Sequence, residues 1–276
     1  MNKKLIWLVA AKDIRGITSS VQVWLGLILL PLIFSVIFPL ALILLVKNLP
    51  VSSPDLIDLV NKVVHGLKDT KSGETIESLP SIKHQIIFVT VNYLLGSIFL
   101  LIPTINAMMI SLHSFVGEKE KRTMETLLFS PITVKELFIG KVLAAFIPSI
   151  IITWVSFFLF GFITVSLTYN MYGYFIFPNA NWLILMFWVT PMITIFTILV
   201  NVFVSARAKG FQEAQQLGGI LILPIMALFI GQATGFLVIK PILLAVLGVT
   251  ILILNLFLLK IMTKYNDRNT LFEKQI

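Results

Sequence analysis

Six stretches of this chain run for 19 residues or more without a single Asp, Glu, Lys or Arg: Val21 to Val46, Ile86 to Leu112, Val142 to Ser166, Trp182 to Val204, Gly218 to Val238 and Pro241 to Leu259. About 20 apolar residues in helical form cross the roughly 30 Å of bilayer hydrocarbon. Inside that hydrocarbon a backbone must satisfy its own hydrogen bonds, which a helix does within one segment. The sequence therefore predicts an all-α integral membrane protein with six spans. Composition agrees: 58% of the 276 residues are hydrophobic and only 12% charged, against about a quarter charged in a soluble domain. No repeat, linker or low-complexity tract divides the chain, so residues 1–276 read as one transmembrane domain.

The charges outside the spans set the orientation. With both termini in the cytoplasm, 15 Lys and Arg fall inside and 6 outside, and 5 of those 6 sit in the loop 47–85 beside 5 acids. The positive-inside rule selects that arrangement, so the net charge of +8 reports orientation and calls for no nucleic acid. The start, Met1 to Ala11, has the basic residues and short apolar run of a secretory signal, but "KDIR" follows at once. An interfacial helix with Trp7 at headgroup level, leading into the first span, fits better.

The external loop contains "SSPDLIDLVNKVVHGLK", where Leu56, Ile57, Val60, Val63, Val64 and Leu67 recur at helical spacing and Asp58 and Lys62 stand four apart. It predicts a short amphipathic helix, either a lid packed over the bundle or a part of substrate release. The second external loop, "LTYNMYGYFIFPNAN", is uncharged and aromatic, as an interfacial segment would be. Pro31, Pro39, Pro103, Pro148, Pro191 and Pro224 interrupt the spans, and each removes a backbone donor and favours a kink.

Several chemistries are excluded. There is no cysteine, hence no disulfide or thiolate site. The pair Gly140-Lys141 is preceded by Lys135 where a phosphate-binding loop needs its first glycine and followed by Val142 where it needs Ser or Thr. His65, His84 and His113 are scattered, without metal-ligand spacing. No carboxylate lies within a span, as an ion-coupled carrier or an intramembrane hydrolase would require. The chain is expected to be non-catalytic and to hold no cofactor or metal. The amides Asn92, Asn106, Asn201 and Gln232 are the polar groups that could border a translocation path, although uncharged polar side chains in spans commonly bond to neighbouring helices.

The most densely charged stretch is "GEKEKRTMETLLFSPITVKELFIGK", residues 117 to 141. Residues 117 to 129 read as a short charged helix, with Glu118 and Arg122 four apart and Met124, Leu127 and Leu128 as an apolar edge. Ser130-Pro131 ends it. Thr133-Val134-Lys135-Glu136 is a capping box that starts a second helix towards the third span. The bare physical alternatives are a lever with a cytosolic partner and a well-capped connector with none.

This order of residues resembles the signature segment of ABC-2 type permeases, the membrane subunits of type V ABC exporters: an acidic-basic run at Glu118 to Arg122, Thr123-Met124-Glu125-Thr126-Leu127-Leu128, Ser130-Pro131, Lys135-Glu136-Leu137 and Gly140-Lys141. The family often has Gly at the position of Met124. Lys12-Asp13-x-Arg15 and the six-span layout echo it. The resemblance implies a coupling helix between spans 2 and 3 that docks on a separate ATPase subunit through Glu118, Lys119, Glu120, Arg122, Thr123, Glu125, Leu127 and Leu128, with Pro131, Thr133 and Glu136 keeping it rigid. It also implies an N-terminal elbow helix, Lys4 to Arg15, and a second permease copy or a related permease as partner within the lipid bilayer. ATP and Mg would be bound by the partner ATPase. The function implied is export of an amphipathic peptide, lipid or drug across a bacterial or archaeal cell membrane. The alternatives from other classes are an ATP-independent channel or secondary carrier, and a membrane-bound transferase or protease.

Overall fold

The computed structural model describes residues 2–18, 21–48, 54–67, 71–120 and 132–264. Among these there is no strand. A first helix, α1 (Lys3–Thr18), precedes six helices long and apolar enough to cross a membrane: span 1 (Trp24–Asn48), span 2 (Ile82–Glu120), span 3 (Val134–Tyr172), span 4 (Ala180–Arg207), span 5 (Phe211–Ala233) and span 6 (Pro241–Met262). Two short helices, α2 (Pro54–Gly66) and α3 (Lys71–Glu77), join spans 1 and 2.

Every expected span is present, and several run longer than the apolar stretch that marked them. Spans 2 and 3 extend past the hydrocarbon length at both ends, because a helix once begun propagates at little further cost.

Span 2 is the central element. Its most apolar window is 83% buried, against 17% for the corresponding windows of spans 5 and 6. Spans 2, 3 and 4 meet along small polar faces: Thr104 and Ser111 on span 2, Ser149, Thr153 and Ser156 on span 3, and Thr190, Thr194 and Thr197 on span 4 are all buried. Such residues let helices approach closely. The hydroxyls of Ser149, Thr153 and Thr194 donate to the carbonyls four residues back, each at 2.7 Å, so that little polarity faces hydrocarbon.

Prolines and widened turns occur together in two spans. Residues Ile33–Ile37 of span 1 take a π-helical pitch between Pro31 and Pro39. Leu185–Val189 of span 4 does so just before Pro191. A proline frees the carbonyl four residues earlier, and the wider pitch re-forms the ladder around it. Span 2 has a π segment at Thr90–Leu94 and a break at Leu100, three residues before Pro103. Pro148 leaves Val134–Tyr172 uninterrupted.

The loop between spans 1 and 2 forms the amphipathic helix expected of it. Val60, Val63 and Leu67 are buried in the main core, Asp58 and Lys62 pair at 2.6 Å, and α2 lies on the first turns of span 2. It is a packed lid. In the aromatic loop after span 3, Phe177 turns inward against Trp182 and Phe160, with ring centroids 5.2 Å apart in both pairs, while Tyr174 and Phe175 are exposed. Trp182 stacks on Phe160 at 4.9 Å and donates its indole N–H to the Val91 carbonyl at 2.9 Å, within the π segment of span 2. An uncharged aromatic segment suits a packed core as well as it suits an interface.

Candidate functional site

The helix Leu101–Glu120 is continuous, so Gly117 to Glu120 continue span 2 and do not start a separate helix, while the rest of the expected helix, residues 121 to 129, lies outside the described residues. No breaker stands between Leu112 and Glu120, and each of the three terminal charges finds a partner on a different element. Glu118 accepts from Lys12 of α1 at 2.6 Å and pairs with Lys141 of span 3 at 2.5 Å. Lys119 donates to the Ala208 carbonyl at 3.1 Å, at the C-terminus of span 4. A cation there complements the helix dipole. Glu120 accepts from the Phe211 backbone N–H at 2.7 Å, at the start of span 5, where an anion is favoured. Gly210 makes room, since a Cβ there would stand 2.9 Å from the Glu120 Oε1.

Lys141 is the centre of this arrangement. Its side chain is 1% exposed and lies between two carboxylates, Glu118 at 2.5 Å and Asp13 of α1 at 3.5 Å. It also donates to the Ser114 carbonyl at 2.6 Å and to the Ser114 hydroxyl at 3.2 Å, and sits 5.1 Å from the Phe115 ring centroid. Asp13 in turn accepts the Ser114 hydroxyl at 2.5 Å and lies 3.4 Å from Lys12. Two cations and two anions thus alternate around a ring contributed by α1, span 2 and span 3. A buried charge costs several kcal/mol unless paired and hydrogen-bonded, and here each is. Burial alone lowers the Lys12 pKa, but the hydrogen bond and charge of Glu118, with Asp13 behind them, raise it to a net value above the ordinary 10.5.

The helix α1 belongs to span 3. Its buried face is Ile6, Val9, Ala10, Asp13 and Ile17. Gly140 admits it: a Cβ at that position would meet the Val9 side chain at 2.8 Å and the Ile6 carbonyl at 3.0 Å. The expected capping box is formed, with the Thr133 hydroxyl accepting from the Glu136 N–H at 3.3 Å and Glu136 accepting from the Thr133 N–H at 3.1 Å. The second Glu136 oxygen accepts from the Asn2 N–H at 2.5 Å, tying the start of α1 to the start of span 3.

Of the residues expected on the docking segment, Glu118 is turned inward, 8% exposed, while Lys119 and Glu120 are exposed and hold spans 4 and 5. Thr133 and Glu136 are placed as above. Arg122, Thr123, Glu125, Leu127, Leu128 and Pro131 lie outside the described residues. The amides do not converge on one opening. Asn92 and Gln232 border a narrow cleft between spans 2 and 5, with Asn181 and Trp182. Gln232 donates to the Tyr93 carbonyl at 2.8 Å and accepts the Ser97 hydroxyl. Asn201 donates to Ser111 across spans 4 and 2 at 3.1 Å, and Asn106 is fully buried inside the bundle. Among the described residues no three His, Asp or Glu side chains gather as a metal ion would need.

Asp13, Lys12, Ser114 and Lys141 were not singled out as site residues from the sequence. One signal was available: Asp13 occupies the apolar stripe of α1, spaced from Ile6, Val9, Ala10 and Ile17 as a core residue would be. A carboxylate in a core position implies a buried cation.

The family model described as ABC-2 family transporter protein matches residues 7–274. No curated protein and no solved structure matches the chain significantly.

Proposed function

The chain belongs to the ABC-2 family of transporter proteins and is thus a permease component of an ABC transporter, and from that premise we propose that it is the membrane half of an exporter whose ATP is bound and hydrolysed, with Mg, on a separate subunit. The chain itself carries no catalytic or cofactor-binding role in this reading. Segment 121–131 is the docking element, with Arg122, Thr123, Glu125, Leu127 and Leu128 meeting the ATPase, and Glu118, Lys119 and Glu120 passing its movement on.

The observation that carries the reading is the last described turn of span 2. Three consecutive charges, next to the segment in question, hold α1 and span 3, span 4, and span 5 in turn. A push on residues 121–131 would reach all of them. Both termini are assigned to the cytoplasm by the lysine and arginine distribution, and the outward-facing Trp7 and Leu8 of α1 suit a helix lying at the lipid headgroups. A second copy or a related permease completes the membrane part. The apolar stretches at the middle of the spans hold no Asp, Glu, Lys or Arg, which suits an amphipathic peptide, lipid or drug better than a bare ion.

The test is co-purification with candidate P-loop ATPases, comparing wild type with Glu125→Lys and Leu128→Asp. Loss of ATPase capture in both variants, with the permease still inserted, is the expected result. Retention of the ATPase and of its substrate-stimulated hydrolysis in both would refute the docking role.

A further inference from the structure

One buried lysine has two carboxylates, and they come from elements that the structure anchors differently. Asp13 is on α1, which is fixed to span 3 by the Gly140 contact and the Asn2–Glu136 hydrogen bond. Lys141 is on span 3 itself. Glu118 is on the end of span 2, the end that leads into segment 121–131. The charge ring therefore joins span 2 to the α1–span 3 pair, and Lys141 holds its nearer counter-ion across the contact with span 2, Glu118 at 2.5 Å, and its farther one on its own side, Asp13 at 3.5 Å.

The hydrogen bonds of Ser114 complete the arrangement. Ser114 is also on span 2, gives its hydroxyl to Asp13 and offers its carbonyl to Lys141. A displacement of the end of span 2 that carries Glu118 away from Lys141 also strips Asp13 of its donor and Lys141 of its acceptor. Asp13 has then lost the Ser114 hydroxyl, and Lys141 has lost Glu118 and both Ser114 oxygens, while the two ions are already within ion-pair distance. Lys12, whose side chain is 55% exposed, can follow Glu118 or return to water.

We propose that Asp13 is a reserve counter-ion for Lys141, so that the end of span 2 can leave and rejoin the α1–span 3 unit during the transport cycle without stranding a buried charge. Asp13 and Lys141 are positioning residues here, acting through the mobility of span 2. A fixed structural lysine needs one carboxylate; one that changes partners needs a second within reach before the first departs. This proposal rests on the reading of segment 121–131 as the element driven by the ATPase.

The experiment uses the full chain, expressed with and without its ATPase, as Asp13→Asn, Glu118→Gln, the double variant, and the double variant with Lys141→Met. Each single variant is expected to keep at least half of the wild-type yield of folded protein, and the double to fall about tenfold or more, because only there is Lys141 left without a carboxylate. Adding Lys141→Met should restore the double to within about twofold of wild type. In the assembled complex Asp13→Asn should lower the ATPase kcat several-fold at unchanged assembly, with Asp13→Glu recovering it. A double variant no worse than its poorer single, a triple variant that is not restored, or a kcat unaffected by Asp13→Asn would each overturn the proposal. The yields need no ATPase, so failure of the wild type to capture one would sink the functional reading while the yields still judge the two-carboxylate pairing of Lys141.

Discussion

Gly140 and Val9 touch at a distance that leaves no room for a side chain: a Cβ at 140 would lie 2.8 Å from the Val9 Cβ, and the Ile6 backbone carbonyl closes the other side at 3.0 Å. The Val9 side chain has some freedom to turn, but a backbone carbonyl does not. Gly140→Ala is therefore expected to cost about 1–3 kcal/mol, and Gly140→Val to separate α1 from span 3. Thermal unfolding in detergent reads the first, and protease sensitivity of the chain near Thr18 the second. Unchanged behaviour in both would mean that α1 docks elsewhere.

Glu136 joins two tasks in one carboxylate, capping span 3 and receiving the Asn2 N–H. Thr133→Ala removes only the cap and should cost about 1 kcal/mol. Glu136→Ala should cost more, because the start of α1 is released as well. The order of the two melting temperatures is the readout, and a reversed order would contradict the double role.

Lys12 predicts a contribution that is flat with pH through neutrality. The Lys12 pKa is raised in the folded chain above 10.5, so its ion pairs contribute fully at any pH below the unfolded value of about 10.4 and are lost as pH rises through the folded one. Lys12 is half-exposed, which limits its contribution to about 0–1 kcal/mol. The stability difference between wild type and Lys12→Gln should stay constant from pH 7 to 9 and shrink only above about 10.5. A difference that vanishes between pH 7 and 9 would show that the pairing with Glu118 does not hold in the membrane protein.

Trp182 has a ring and a donor, and the two can be tested apart. Trp182→Phe keeps most of the stacking with Phe160 and loses the bond to the Val91 carbonyl, for about 1 kcal/mol. Trp182→Ala opens a cavity among Phe99, Phe157, Phe160 and Phe177, for about 3–5 kcal/mol. Equal losses in the two variants would assign the whole contribution to the hydrogen bond.

The six spans were legible because hydrocarbon imposes a length and a composition that few other constraints mimic. The capping box and the face of α2 were legible because both depend on residues three or four apart. The charge ring was not, since its members at positions 12–13, 114–118 and 141 come from three separate helices and no local rule relates them. The inward turn of Phe177 was missed for a different reason: aromatic residues gain as much from a packed core as from the headgroup region, and only the shape of the neighbouring helices decides. The four amides looked alike in sequence, yet Asn201 and Gln232 serve as cross-links between helices.

The nearly complete enclosure of span 2 sets how the protein senses its surroundings. Stretching or thinning the bilayer acts first on the helices that border it, and span 2 scarcely does. Lipids of longer or shorter chain should therefore retilt spans 5 and 6, whose faces are open, while the central helix is insulated from bilayer thickness. The element that bears the charged terminal turn takes its instructions from the protein around it and from segment 121–131, and very little from the membrane it crosses.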